Sequence, residues 1–366
     1  MVSAPPLSQL YVYVTDGCNC SCRHCWIVSG PQAAPARFLD LGQAEAAIAE
    51  ALPLGLQSLK WTGGEPTIHP RFADLLRIQE RHDLDGSVET NGIRVDAPLA
   101  RLMRQCGVSR VAVSLDGAAA VTHDAIRGVK GAHAGALRGI EALRGADYSP
   151  QIIMTLMADN IAELPDMLAL ADKVGAGSLK LNIVQPMLRG ESVYESGRGV
   201  SLAEMLELRD WIDREAAPRH SFSIMLDLPM AFRPLPRILA EGPGERCGIL
   251  GILGLLADGD YALCGIGQNV PELVFGTAGS DSLAAIWESH PMLTSLRDGI
   301  STRLQGICGR CALNQVCLGS CLAQNYYRAH DLFAAFWLCE EAEREGLFPR
   351  TRLRPDASRQ AQPVTP

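Results

Sequence analysis

Between residue 10 and about residue 226 short apolar runs alternate with amphipathic stretches of helical period, a rhythm that admits few architectures. A strand, a helix and a further strand in succession make a parallel pair with a crossover, so repeating the unit builds a parallel sheet covered by helices. Six such units are expected. Their strands are read as Leu10–Thr15, Ser58–Thr62, Ser87–Thr90, Val111–Leu115, Gln151–Met157 and Ser178–Val184. The helices are read as Leu41–Leu52, Pro70–Arg81, Pro98–Cys106, Ala132–Arg144, Ile161–Val174 and Leu202–Glu215, with Asp40 and Ser201 as N-caps. Six units are too few to close an eight-unit barrel. The expected fold class is therefore α/β, a partial (β/α)6 TIM-like barrel with its working loops at the C-terminal ends of the strands.

The rhythm stops where Pro229, Pro234, Pro236 and Pro243 interrupt it and cysteines begin to recur. This predicts a barrel over 1–228, a linker over 229–246, a small cysteine-rich domain over 247–345 and a disordered polar tail over 346–366. The N-terminus has no basic start followed by an apolar core, and no apolar run reaches membrane-spanning length. The longest, Ile249 to Ala257, is broken by Gly251 and Gly254. A net charge of −8 argues against a nucleic-acid surface. Twelve cysteines without an export signal point to metal or redox chemistry in a reducing cytoplasm.

The first strand runs into Cys18, Cys22 and Cys25, separated by three residues and then two. Such spacing offers three thiolates to an iron–sulfur cluster and leaves one iron open, whereas four ligands would close it. The competing reading is a structural zinc site that recruits His24, but zinc modules favour two separated ligand pairs. Cys20 adds a fourth thiol inside the loop and is read as a bystander. Further motifs end the later strands: Trp61-Thr-Gly-Gly-Glu-Pro66, Glu89-Thr-Asn-Gly92 and Ser114-Leu-Asp-Gly117, followed by His123-Asp-Ala-Ile-Arg-Gly128.

With these motifs the first domain resembles the radical S-adenosylmethionine (radical SAM) superfamily. The resemblance implies that Cys18, Cys22 and Cys25 hold a [4Fe-4S] cluster whose open iron binds S-adenosylmethionine. It assigns the methionine amino group to Gly63, Gly64 and Glu65, and further co-substrate contacts to Asn91, Ser114 and Asp116. Arg127 would pair with the co-substrate carboxylate, for which its planar fork is suited. His24 stands where the family commonly has an aromatic that packs near the adenine and takes a packing role, Trp26 flanks Cys25 on the other side, and Asn182 and Gln185 would face adenine or substrate. Seven later cysteines, Cys247, Cys264, Cys308, Cys311, Cys317, Cys321 and Cys339, with Gly259 before Cys264, resemble the SPASM extension of the superfamily. That implies two auxiliary [4Fe-4S] clusters, three in all. One would be held by Cys308, Cys311, Cys317 and Cys339, the other by Cys247, Cys264 and Cys321, one ligand short. A zinc-ribbon module is the alternative for this region. Cys106 is read as a buried small hydrophobe.

The activity implied is reductive cleavage of S-adenosylmethionine to a 5′-deoxyadenosyl radical and oxidative modification of a peptide or protein, as in maturases. The partners implied are that substrate, a separate leader-binding protein, since only about seventeen residues precede Cys18, and an electron donor such as flavodoxin or ferredoxin. No nucleic acid or membrane partner is expected. The alternatives are modification or decarboxylation of a small molecule such as a tetrapyrrole, whose carboxylates Arg189 and Arg198 would bind, and a non-catalytic metal-binding interaction protein. No acid or base stands out. Tyr13, Asp16 and Asp227 are candidates by position at strand ends, and the segment Ala323 to His330 is a candidate border to an auxiliary cluster.

Overall fold

The computed structural model describes residues 4–27, 29–31, 35–241, 247–300 and 302–355. The chain divides into two compact units, one formed by Met1–Asp227 with Gly248–Leu293, the other by Leu228–Cys247 with Thr294–Pro366. This differs from the expected division, because the segment after Gly248 returns to the sheet.

The first unit is built on ten strands: β1 (Gln9–Tyr13), β2 (Ser58–Thr62), β3 (Asp85–Thr90), β4 (Val108–Ser114), β5 (Gln151–Leu156), β6 (Ser178–Ile183), β7 (Ser223–Leu226), β8 (Ile252–Leu255), β9 (Asp260–Ala262) and β10 (Val274–Thr277). They form one sheet in the order β10-β9-β8-β1-β2-β3-β4-β5-β6-β7. Strands β8 and β1 through β7 pair in parallel, and β9 and β10 add an antiparallel edge. The six expected strands are all present. β7 escaped the sequence reading because Ser-Ile-Met-Leu is only four residues long. β8 escaped because Gly251 and Gly254 were read as interruptions. Gly254 is instead a packing requirement: a Cβ there would lie 2.8 Å from the Cys264 carbonyl carbon.

Strand alternation gives the sheet two unlike faces. Leu10, Val12, Leu59, Trp61, Val88, Val113, Ile152, Met154, Leu179 and Leu181 are buried on one. Trp61 Nε1 donates to Gln79 Oε1 of the helix Phe72–Arg81 at 2.6 Å, and Gln79 Nε2 donates to the Cys106 carbonyl, so this face carries helices. Each fully buried aliphatic or aromatic side chain contributes about 1.5–3 kcal/mol. The opposite face carries Tyr11, Lys60, Ser87, Glu89, Ser114, Thr155, Lys180 and Asn182, brought alongside one another by the parallel register. Helix starts follow the sequence. Asp40 accepts from Gly42 N and Gln43 N, and Ser201 forms a capping box with Glu204.

The second unit contains the helices Gly306–Arg310, Asn314–Cys317, Leu322–Ala329 and Trp337–Arg344. The expected disordered tail is corrected over its first ten residues. Phe348 is buried, Arg350–Arg352 is a 3-10 turn, and Leu353 pairs with Cys311 in a β-bridge. Polar, proline-bearing composition with almost no apolar content suggested disorder, but backbone pairing and one aromatic anchor order these residues. The rest of that segment lies outside the described residues.

Candidate active site

The loop that follows β1 is fastened on two sides. Gly64 N donates to the Thr15 carbonyl at 2.7 Å and Glu65 N to the Gly17 carbonyl at 2.9 Å. On the other side Ser21 N and Arg23 N donate to the carbonyls of Arg127 and Ile126, at the end of the helix Ala120–Arg127. Arg189 Nη1 closes the loop by donating to the carbonyls of Cys22 and Ser29. Arg189 therefore braces this loop, and Arg198 faces Asp159 at 3.7 Å.

Each of the three expected ligand sulfurs has a polar group aimed at it. Cys18 Sγ receives the Cys20 N–H at 3.3 Å and faces Asn91 Nδ2 at 4.0 Å. Cys22 Sγ receives Arg127 Nη1 at 3.5 Å, and Cys25 Sγ stands 3.8 Å from the Ser29 hydroxyl. Donors of this kind stabilise thiolates and tune the clusters they hold. The Cys20 thiol beside it and the Arg127 charge hold Cys22 low, at about 5, against its burial. Hydrogen bonds to Cys18 and Cys22, with burial, push Cys20 far up, so Cys20 stays a thiol. The residues present fit a cluster bound through three thiolates. Ser29 was not nominated by the sequence, and Arg189 was nominated for a substrate's carboxylates and not for this brace, since each acts through backbone or sulfur contacts that only the closed loop creates.

His24 does not join the cysteines. Its Nε2 lies 3.9 Å from Asp116 Oδ2. Asp116 is wholly buried, its Oδ1 accepting from Thr155 N at 2.8 Å and its Oδ2 lying 2.7 Å from Arg127 Nε. Neither of those last two atoms has an aligned hydrogen bond, so the pair is held by charge. Burial opposes ionisation of Asp116, yet the Arg127 guanidinium and then His24 keep its carboxyl below the usual range. His123 Nδ1 accepts from Asp116 N, and burial lowers that imidazole to about 4. Arg127 thus spans Asp116 and Cys22.

Glu65 is likewise committed. Its Oε1 accepts from Thr67 N, Thr67 Oγ1 and Thr90 Oγ1, and its Oε2 from Asn91 N. At 1 % exposure it latches the ends of β2 and β3 together, next to Gly63 and Gly64. Both glycines are needed. Gly63 has φ +140°, and a Cβ on Gly64 would lie 1.9 Å from the Gly17 carbonyl oxygen. Overpacking of this kind costs about 1–3 kcal/mol. Gly64→Ala is expected to displace Gly17 and Cys18 and lower the free energy of unfolding by that amount, with a lower midpoint in urea; an unchanged midpoint would contradict the brace.

Asn91 Nδ2 also bonds Asn19 Oδ1 at 2.7 Å, and Ser114 ends β4 half-buried. Asn182 and Gln185 are half-buried at the exit of β6, and Asn182 Oδ1 has no partner. The acid–base candidates fare differently. Tyr13 is buried edge-on against Trp26 at 6.3 Å, with burial and then Cys264 raising its hydroxyl. Asp16 is occupied by Arg37 N and Nε, and Asp227 is exposed past β7. None of the three stands as a poised proton carrier.

Cys264 belongs to this first unit, and Cys247 and Cys321 belong to the second. Within the second unit Cys308, Cys311, Cys317 and Cys339 come together. Cys308 and Cys339 are hydrogen-bonded, which lowers Cys308 and raises Cys339, and the charges of Cys308, Cys317 and Cys311 all bear on Cys339. Burial raises Cys317 to about 11. Backbone donors reach two of the sulfurs, Phe336 N to Cys308 at 3.3 Å and Leu313 N to Cys311 at 3.4 Å. The four thiols expected to share one cluster are thus gathered and supplied with N–H donors. In the segment after Cys321, Gln324 and Asn325 are buried and Gln324 Oε1 accepts from Trp337 Nε1, a packing role. Among the described residues no three His, Cys, Asp or Glu side chains converge as a single bound ion requires.

Residues 12–171 match the Radical SAM superfamily family model. The AdoMet-dependent heme synthase of Methanosarcina barkeri is 31% identical over 346 residues, covering 90% of this chain and 95% of that protein. The chain belongs to the radical SAM superfamily. It is an enzyme of a family that uses a [4Fe-4S] cluster and S-adenosylmethionine, and its cysteine-rich C-terminal region is consistent with a SPASM-type domain. The mycofactocin maturase MftC of Mycobacterium ulcerans is 28% identical, covering 86% of this chain and 82% of that one. Among solved structures, Streptococcus suis SuiB bound to S-adenosylmethionine superposes with a TM-score of 0.72 at 14% identity, covering 92% of this chain and 78% of that one. The same protein has been solved with its precursor peptide SuiA, again at a TM-score of 0.72, at 15% identity over 92% of this chain and 76% of that one. The radical SAM fold accounts for a parallel sheet with the triad loop at the end of its first strand. No helix among the described residues is long and apolar enough to cross a membrane.

Proposed function

We propose that this radical SAM enzyme oxidises a peptide or protein substrate in the cytoplasm, drawing electrons from a small carrier such as flavodoxin or ferredoxin. The observation that carries the reading is the charge on the open face of the sheet. Lys60 is paired with Glu89 at 2.6 Å and lies over the Tyr11 ring, and Arg110 faces Asp85 at 3.8 Å. Both of these cations are met by carboxylates, which leaves little positive charge there to draw a polyanion. The arginines expected to receive a polycarboxylate, Arg189 and Arg198, are engaged with the cysteine loop and with Asp159. A face of tyrosine, serine, threonine and asparagine suits amides and a side chain better than a molecule with several carboxylates.

With clusters on the thiolates and S-adenosylmethionine bound, these groups supply one-electron reduction, hydrogen-atom abstraction and an electron acceptor. The chain contributes the rest. Asp116, Arg127 and Glu65 fix the loops, and the buried helix-side core excludes water from one side of the site. Names of relatives such as MftC support the peptide reading. A second reading, oxidative modification of a tetrapyrrole, is favoured by the full-length match to a heme synthase.

The test is to incubate anaerobically reconstituted, reduced enzyme with S-adenosylmethionine and either peptides encoded beside its gene or a tetrapyrrole. The expected result is 5′-deoxyadenosine together with a peptide lighter by two hydrogens. Tetrapyrrole turnover with unaltered peptides would overturn the proposal in favour of the second reading.

A further inference from the structure

We propose that residues 348–354 form a clasp on the Cys308, Cys311, Cys317 and Cys339 cage, and that Arg352 and Arg354 raise the reduction potential of the cluster held there. The inference rests on reading these four thiols as the ligands of one auxiliary cluster.

The clasp is built of backbone. Leu353 bridges Cys311 in antiparallel fashion, flanked by Ala312 N donating to the Arg352 carbonyl at 2.7 Å and Arg354 N donating to the Arg310 carbonyl at 2.9 Å. The chain therefore runs directly alongside a cage cysteine on both sides of the bridge. Its start is anchored where the Phe348 ring meets Phe232 at 5.9 Å. Both guanidiniums are then fixed by neutral partners. Arg352 donates through Nε to the Ala231 carbonyl and through Nη2 to the Arg233 carbonyl. Arg354 donates to Oδ1 of Asn314, a buried residue on the turn between Cys311 and Cys317. Arg310, close by in sequence, has its charge met by Glu343, whereas Arg352 and Arg354 keep theirs. Both residues are immediate chain neighbours of Leu353, which bridges Cys311, so their charges sit beside the cage.

A cluster gains one negative charge on reduction. Two held positive charges stabilise that state more than the oxidised one, and net charge and hydrogen bonding around the sulfurs are among the means by which proteins set such potentials. The consequence is a better electron acceptor.

The measurement is an EPR-monitored redox titration of the reconstituted full-length chain, with iron content determined on each sample. R352Q/R354Q is expected to retain its iron and to shift one auxiliary signal to lower potential, the reduction equilibrium falling at least threefold, about 28 mV at 59 mV per tenfold for one electron. R352K/R354K is expected to stay near the wild-type potential. An unmoved signal in R352Q/R354Q with iron retained overturns the proposal. If R352Q/R354Q loses iron, recovery in R352K/R354K supports it, and loss in both overturns the role of charge. Undiminished iron in Cys308→Ala and Cys311→Ala would instead sink the cluster assignment beneath it.

Discussion

Replacing Cys22 with alanine is expected to abolish S-adenosylmethionine cleavage and to remove one cluster's share of iron and sulfide. Two thiolates do not hold a cluster that needs three protein ligands. The variant also takes from Arg127 the sulfur that its Nη1 meets at 3.5 Å. The check is chromatographic quantification of 5′-deoxyadenosine beside an iron assay, with Cys20→Ala as the comparison. Cleavage that survives in Cys22→Ala, or iron lost equally from Cys20→Ala, would contradict the ligand assignment.

Arg127→Met carries the largest expected cost in stability. It leaves the Asp116 carboxylate, wholly buried, without the guanidinium at 2.7 Å, and stranding one member of a buried ion pair costs about 3–5 kcal/mol. The pH dependence follows from the direction of the shift. Arg127 helps to hold the folded-state value of Asp116 below its unfolded value, so the stabilisation is complete above the unfolded value, about 3.9, and is lost as pH falls through the folded one. In the variant burial acts on Asp116 without the guanidinium and raises its value, so the gap between wild type and variant in chemical denaturation should be widest at high pH, narrow as pH falls through that raised value, and go on narrowing down to the depressed value of the wild type. A gap of under about 1 kcal/mol at pH 7, the range of exposed pairs, would mean that the contact is not the buried pair described.

Much of the barrel was legible because its signals are periodic and local. Asp40 and Ser201 cap helices by side chains two or three residues from their targets, and the strand runs that end in Cys18, Glu65, Asn91 and Asp116 are apolar on alternate positions. What failed to show was nonlocal. β8 pairs with β1 across more than two hundred residues, and its glycine is explained only by the Cys264 backbone pressed against it. The same holds in the site. Residue type nominated Glu65, Asp116 and Arg127 as co-substrate contacts, but their partners in the fold, Thr90 and Asn91 for Glu65 and the Asp116–Arg127 pair, are nonlocal and had no signal in the sequence. The Arg352 and Arg354 clasp resembled a disordered tail by composition, and only its pairing with Cys311 reveals a role.

The central claim is that Cys18, Cys22 and Cys25 hold a cluster that reduces S-adenosylmethionine. Its most direct test is a single anaerobic sample of reconstituted, dithionite-reduced wild-type protein, assayed for metal content, visible absorption and 5′-deoxyadenosine after addition of S-adenosylmethionine. The account predicts iron and sulfide, the broad absorption of iron–sulfur centres, and 5′-deoxyadenosine that appears only with reductant. Protein that carries zinc, lacks that absorption and leaves S-adenosylmethionine intact would contradict it.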